Sequence, residues 1–231
     1  SFFVINIDSL TYAGNARNIE DYLKRDNFIF EKGSINDNNF LAKIFSKYKP
    51  DYVVNFAAES HVDRSINDPS IFFRTNVGGT LNLLNHSLEN EIKRFLQVST
   101  DEVYGSLDSD GYFTEETNIN PNSPYSASKA SADFFVRSYF KTYGLDTIIT
   151  RCSNNYGPYQ FPEKLIPVVI SNAMNDVKIP VYGKGDNVRD WIHVSDHCEG
   201  IYQALMKGAS GEVYNFGGGA EITNLNLVFK V

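Results

Sequence analysis

Phe95-Leu96-Gln97-Val98-Ser99-Thr100-Asp101-Glu102-Val103-Tyr104-Gly105 is an apolar run that ends in a hydroxyl and two adjacent carboxylates. The run reads as a buried strand. Downstream, Tyr125-Ser126-Ala127-Ser128-Lys129 opens an apolar helical segment. Positions i and i+4 share a helix face, so Tyr125 and Lys129 can address one spot. An ammonium group beside a phenol favours the phenolate, which makes Tyr125 a candidate base. Thr100, Asp101, Glu102, Tyr125 and Lys129 together form a set for moving protons on an alcohol or sugar. Taken singly, each has a plainer reading: Tyr-x-x-x-Lys is common on helices, and an Asp-Glu pair often ends a strand in solvent.

Outward from this stretch, apolar strands alternate with helical stripes. Strands are predicted over 2–8, 28–31, 52–56, 95–99, 147–151 and 213–216. Helices are predicted over 18–24, 37–48, 69–91, 125–143, 165–175 and 196–207. Continuous apolar strands between helices argue for an α/β fold with a Rossmann-type parallel sheet flanked by helices. A composition shift near Asn154 to Pro162 is the best candidate for the start of a second, smaller C-terminal lobe, which divides the chain into 1–153 and 154–231. In open parallel sheets, ligands sit outside the carboxyl ends of the strands. Those ends carry Asp8, Ala57 to His61, Ser99 to Glu102 and Arg151 to Asn155. Asp8 suits the ribose hydroxyls of NAD and would repel a 2′-phosphate, or it caps a turn. No G-x-G-x-x-G accompanies the first strand, and Gly217-Gly218-Gly219 opens no helix, so the glycine turn of the dinucleotide unit is expected upstream of these residues. Arg189 could clamp a diphosphate or pair with Asp190.

The 231 residues carry a net charge of −7, which disfavours general nucleic-acid or membrane-surface binding. Two cysteines make no disulfide framework, which fits the cytoplasm. His193 and His197 have the spacing of a zinc pair but lack a third nearby ligand, so no metal site is expected. Asn85-His86-Ser87 matches a glycosylation sequon without a secretory signal beside it.

With these residues in view, the sequence resembles the dTDP-glucose 4,6-dehydratase family of extended short-chain dehydrogenases/reductases. The matching runs are Asp8-Ser9-Leu10-Thr11-Tyr12-Ala13-Gly14-Asn15, Ala57-Ala58-Glu59-Ser60-His61-Val62-Asp63-Arg64-Ser65, Thr100 to Gly105, Tyr125 to Lys129, Arg151 to Pro158 and Arg189-Asp190-Trp191. It departs from the family pattern at Ser9 and at Ser34-Ile35.

The resemblance implies a lyase that uses tightly bound NAD to dehydrate dTDP-glucose to the 4-keto-6-deoxy sugar, in deoxysugar biosynthesis of the rhamnose type. It also implies that 1–153 is an NAD-binding domain and 154–231 an interleaved substrate-binding lobe. Tyr125 would take the proton of the 4-hydroxyl, Thr100 would hydrogen-bond that hydroxyl, Glu102 would take the C5 proton and Asp101 would protonate the departing C6 hydroxyl. By the same resemblance Asp8, Ser34, Ile35, Ala57, Thr75, Tyr125, Lys129 and Asn155 would line the NAD site. Ser60, Thr100, Asn154, Lys164, Leu165, Pro180, Tyr182, Arg189 and Asn224 would contact the nucleotide sugar. Helices near 69–91 and 125–143 would build a homodimer. Competing readings are a UDP-glucose 4,6-dehydratase, a nucleotide-sugar 4-epimerase, which would need Tyr125 and Lys129 but not the acid pair, and a catalytically silent nucleotide-sugar-binding protein.

Overall fold

The computed structural model describes residues 2–107, 111–181 and 183–231. They divide into two compact units, one of 1–151 with 204–214 and one of 152–203 with 215–231.

The first unit is a Rossmann-type α/β arrangement. Strand β1 (Val4–Asp8) pairs in parallel with β2 (Phe28–Lys32). Strand β3 (Tyr52–Asn55) pairs in parallel with β4 (Arg94–Thr100), with Asn55 opposite Gln97. Strands β5 (Thr147–Cys152) and β9 (Val213–Phe216) extend that sheet in the order β3-β4-β5-β9. Helix α1 (Asn38–Tyr48) starts on an Asp37 cap and turns Leu41, Ile44 and Phe45 inward. Leu41 and Phe45 meet Leu83 and Leu84, Phe95 of β4, and Val136 and Tyr139, forming one core against the sheet.

The helix that carries Tyr125 has clear local causes. Helix α5 (Pro124–Tyr143) begins with a reciprocal capping box, in which the Ser123 hydroxyl accepts from the Ser126 amide and the Ser126 hydroxyl accepts from the Ser123 amide, both at 3.0 Å. Proline stands in the first turn, where its missing N–H costs nothing. Gly144 stops the helix in the left-handed conformation at φ 73°.

Two predicted helices differ in the structure. The stretch 18–24 is a short 3₁₀ turn, Ala16–Ile19, followed by further turns. None of the residues in that 3₁₀ turn is buried, so no packing sustains a longer helix there. The long helix near 69–91 runs as α3 (Pro69–Phe72), a π-helical segment (Phe73–Gly79) and α4 (Thr80–Glu89). The short helix α2 (Val62–Asn67) precedes it.

In the second unit, β6 (Asn154–Tyr156) pairs in parallel with β8 (Trp191–His193). Strand β7 (Val188–Arg189) pairs antiparallel with β10 (Ile222–Thr223). Helices α6 (Leu165–Met174) and α8 (Asn224–Lys230) complete this unit, and α7 (Val194–Lys207) belongs to it through Gln203. Cys152 and Cys198 are free thiols. Among the described residues no helix is long and apolar enough to cross a membrane.

Candidate active site

Strand β4 delivers Thr100 buried at its carboxyl end, and the chain turns at once into a 3₁₀ helix, Asp101–Tyr104. Thr100 caps that turn. Its hydroxyl accepts from the Glu102 amide at 3.3 Å and lies 3.3 Å from Asp101 Oδ1, to which it can donate. The two carboxylates therefore leave the strand on a short, capped turn and not on a loose loop. Both are half-buried, unlike acids on a solvated strand end.

Lys129 is 3% exposed, and its ammonium donates to the Val98 carbonyl of β4 at 2.7 Å. That bond draws the Tyr125–Lys129 face of α5 to the strand end that bears Thr100. Tyr125 is buried, with its ring edge-to-face against Phe72 at 6.3 Å.

The π-helical segment supplies a second tie, unseen in the sequence. Asn76, 1% exposed, accepts from the Glu59 amide at 2.8 Å, donates to the Glu59 carbonyl at 3.0 Å and donates to the Ser128 hydroxyl at 2.8 Å. Ser128 lies between Tyr125 and Lys129 and bonds the Tyr125 carbonyl at 2.7 Å. One amide thus fixes the loop after β3 to the helix turn that carries the dyad. π-helical turns recur at functional sites for such reasons. Residue type alone could not single out Asn76 among its neighbours.

The remaining cofactor candidates of this unit sit at the carboxyl ends of β1, β2 and β3. Asp8 is exposed, and its Oδ1 accepts from the Leu10 amide at 2.6 Å, so the turn-capping reading is realised. The same bond fixes the carboxylate at the strand end. Ser34 accepts from the Asn36 amide at 3.1 Å, and Asn36 reaches Thr75 Oγ1 at 3.4 Å. Ile35 is buried, with its carbonyl held by Asn82 at 3.1 Å. The Ala57 amide donates to Asn55 Oδ1 at 3.1 Å. The structure therefore brings the loop after β2 onto the π segment at Thr75. A carboxylate for ribose hydroxyls, an apolar side chain for a base, a hydroxyl and a buried ammonium make a donor set that suits an adenine dinucleotide. A cavity of about 310 Å³ joins the loops after β1 and β3, with Thr11, Tyr12, Glu59, Arg64 and Phe72 in its wall. Ser60 lies exposed on the second of those loops.

In the second unit, Asn155 Oδ1 lies 2.9 Å from His197 Nδ1, and its amide nitrogen reaches the Ser153 carbonyl at 3.2 Å. Burial holds the pKa of His197 below its usual value, so the imidazole is neutral. His193 bonds the Ser195 hydroxyl at 2.7 Å. The two histidines have separate partners, and among the described residues no group of three or more His, Cys, Asp or Glu could hold a metal ion.

Arg189 is exposed on β7 and donates to the Val188 carbonyl at 3.0 Å. Asp190 instead accepts from the amides of Gly218 and Ala220, each at 2.7 Å. The Gly217-Gly218-Gly219 run thus wraps a carboxylate. Asn154 donates its backbone amide to the Asp190 carbonyl at 3.1 Å, Lys164 immediately precedes α6 and Leu165 opens it. Asn224 opens α8, and Pro180 lies in an extended stretch. Tyr182 lies outside the described residues.

A family model described as GDP-mannose 4,6 dehydratase matches residues 1–231. The chain is similar to the dTDP-glucose 4,6-dehydratase of Xanthomonas campestris pv. campestris (strain B100), at 52% identity over 234 residues, covering 97% of this chain and 67% of that protein. It is 47% identical over 246 residues to dTDP-glucose 4,6-dehydratase 1 of Escherichia coli K12, covering 99% of this chain and 68% of that protein. Among solved structures it is similar to the dTDP-glucose 4,6-dehydratase DesIV of Streptomyces venezuelae with NAD and TYD bound, with a TM-score of 0.95 and 51% identity over 98% of this chain and 70% of that one. The UDP-glucose 4-epimerase of Thermotoga maritima aligns with a TM-score of 0.90 at 30% identity, covering 98% of this chain and 72% of that one.

Proposed function

We propose a reaction on the premise that this chain belongs to the dTDP-glucose 4,6-dehydratase family: NAD-dependent conversion of dTDP-glucose to its 4-keto-6-deoxy product with loss of water. The observation that carries it is the 2.7 Å bond from Lys129 to the Val98 carbonyl, which ties the Tyr125 helix face to the strand ending in Thr100-Asp101-Glu102. A dehydrogenase dyad and an acid pair on one strand end are what oxidation followed by elimination requires.

Asp8, Ser34, Ile35, Ala57, Thr75 and Lys129 of the first unit would hold NAD, the family resemblance assigns Asn155 of the second unit to it as well, and NAD would supply a hydride acceptor that is regenerated within each turnover. Tyr125 takes the proton of the 4-hydroxyl, which Thr100 orients. The resulting 4-ketone acidifies C5, and Glu102 removes that proton. Asp101 donates a proton to the C6 oxygen, so the C5–H and C6–O bonds break and water leaves. Glu102 is then placed to return a proton to C5, which completes the 6-deoxy product once the hydride held by the cofactor is given back. The proton gained by Tyr125 balances the one given by Asp101. The two roles require Asp101 to begin as the acid and Glu102 as the base. The family resemblance assigns Ser60, Asn154, Lys164, Leu165, Pro180, Arg189 and Asn224 to the nucleotide sugar.

The enzyme is a cytoplasmic hydro-lyase that keeps its NAD bound. It works as a homodimer through the helical stretches near 69–91 and 125–143. The exposed Phe73 and Phe134, 65% and 56% accessible, support that interface.

The test is turnover of dTDP-glucose in D₂O, followed by proton NMR. Deuterium should enter C5 while hydrogen from C4 reappears at C6, with no net NADH. Glu102→Gln should lose C5 exchange by about 10²-fold or more, whereas Asp101→Asn should keep C4 oxidation and slow water loss. Epimerised product without solvent deuterium at C5 would replace this reading with a 4-epimerase.

A further inference from the structure

Behind the acid pair and the dyad lies a charged cluster to which the reaction assigns no role. Asp133, 2% exposed, follows Tyr125 and Lys129 at i+8 and i+4 on the same face of α5. Its Oδ2 accepts from Arg151 Nε of β5 at 3.0 Å. Arg151, 6% exposed, donates Nη1 to the Tyr104 hydroxyl at 2.9 Å, and its guanidinium lies 4.9 Å from that ring's centroid. Tyr104 is the last residue of the turn that begins with Asp101. It is itself buried and stacked on Phe113 at 5.1 Å.

We infer that Asp133, Arg151 and Tyr104 are positioning residues, a buried relay that holds the Asp101-Glu102 turn in register with the Tyr125–Lys129 face. The inference rests on the dehydratase reading above and deepens it.

Three features carry it. First, the cluster links three elements, the catalytic turn, α5 and β5, by directional bonds that fix distance and angle. Second, a buried ion pair is weak evidence for stability, since an apolar replacement of similar volume is often as stable. A positional role explains the retained cost better than a stabilising one. Third, the charges are felt beyond the pair. Burial pushes the Asp133 carboxyl above its usual value, and Arg151, Lys129 and the Ser99 hydroxyl oppose that rise only in part. Burial works against the Arg151 charge too, and Asp133 and the Tyr104 hydroxyl more than offset it. Lys129 therefore faces a paired carboxylate one helical turn away.

The proposed reaction places neither substrate nor cofactor on the relay, so its loss should separate the steps. Tyr104→Phe keeps the stacked ring and deletes only the hydroxyl. In the full chain with NAD and dTDP-glucose, it should slow deuterium entry at C5 by about 10-fold. Transient NADH formation, which reports hydride loss from C4, should change by less than about 3-fold. Arg151→Met should slow C5 exchange by about 10²-fold, the size expected for misplacement on the order of 1 Å. Arg151→Lys should recover only part, because one ammonium cannot serve Asp133 and Tyr104 in fork geometry. Arg151→Met leaves a buried carboxylate unpaired and could unfold, so Asp133→Asn/Arg151→Met is the companion variant. It should keep native NAD binding while still losing C5 exchange. C5 exchange and NADH formation that fall together, or a Tyr104→Phe enzyme equal to wild type in C5 exchange, would overturn the relay. Wild-type protein that fails to exchange at C5 would overturn the dehydratase reading itself, and the relay with it.

Discussion

Gly78 and Gly79 are neighbours at the end of the π segment, yet a methyl group should act on them in opposite directions. A Cβ built on Gly79 falls well inside the contact radius of Ile35 Cδ1 and lies 2.6 Å from Ile35 Cγ1. Carbon atoms prefer about 3.5–4.0 Å, so Ile35 would have to withdraw by roughly 1 Å. It has little freedom to do so, since its side chain is buried in the main core and Asn82 holds its carbonyl at 3.1 Å. Overpacking of this kind costs about 1–3 kcal/mol. A Cβ on Gly78 meets only the Phe73 carbonyl oxygen, at 3.9 Å. There the change to alanine mainly reduces the freedom of the unfolded chain and should stabilise by about 0.4–1 kcal/mol. For a domain of this size 1 kcal/mol moves Tm by about 2–4 °C, so Gly79→Ala should lower Tm by several degrees and Gly78→Ala should raise it slightly. NAD titration followed by calorimetry adds a functional readout. Moving Ile35 should weaken NAD binding in Gly79→Ala alone. If both variants shift Tm in the same direction, or if NAD affinity falls equally in both, the packing argument for the loop after β2 is wrong.

Gly218→Ala should be more damaging still, because its Cβ would lie within the contact radius of the Trp191 carbonyl oxygen, a backbone atom that cannot swing aside; a loss of about 3 kcal/mol or more in urea unfolding is expected. Arg94 makes a two-pronged contact to Asp146, at 2.9 and 3.1 Å, and donates a third bond to the Leu205 carbonyl at 2.9 Å. Arg94→Lys cannot reproduce that fork and should cost about 1–2 kcal/mol in the same measurement. Burial holds the pKa of His197 in the folded protein below its usual value. Its contribution to stability is present above the unfolded pKa and is lost as pH falls from there through the folded value. Unfolding curves taken on either side of about pH 6.5 should diverge, and His197→Gln should flatten that acid loss; an unchanged acid slope would remove the buried-neutral assignment.

The strands and α5 were legible because their signals are local. An apolar run, a serine cap with proline in the first turn, and a closing glycine are all contained within the element they specify. The hydroxyl and acid pair after β4 were legible for the same reason. What the sequence hid depends on long-range partners. The π segment arises within a stretch whose apolar spacing suits an ordinary helix, and Asn76 bonds Glu59, 17 residues earlier, and Ser128, 52 residues later. Arg151 meets Tyr104 across 47 residues, which no spacing rule anticipates. Arg189-Asp190 invited a pairing of neighbours, but Asp190 is turned to amides 28 and 30 residues away. The predicted helix at 18–24 failed for the opposite reason: its helix-compatible residues find no core to pack on.

The buried amides of Asn55 and Gln97 face each other across β3 and β4, joined at 2.9 Å, and Asn55 also donates to Thr80 at 3.1 Å. An apolar pair could fill that space, but it would tolerate sliding. Side chains alternate between the two faces of a strand, so a slip of one residue would turn Asn55 out of the core and strand Gln97 without a partner. An orphaned buried amide costs about 1–3 kcal/mol. The pair therefore acts as a phase marker during folding. It penalises a one-residue slip of β3 on β4, and so fixes the neighbour of the strand that ends, three residues beyond Gln97, at Thr100.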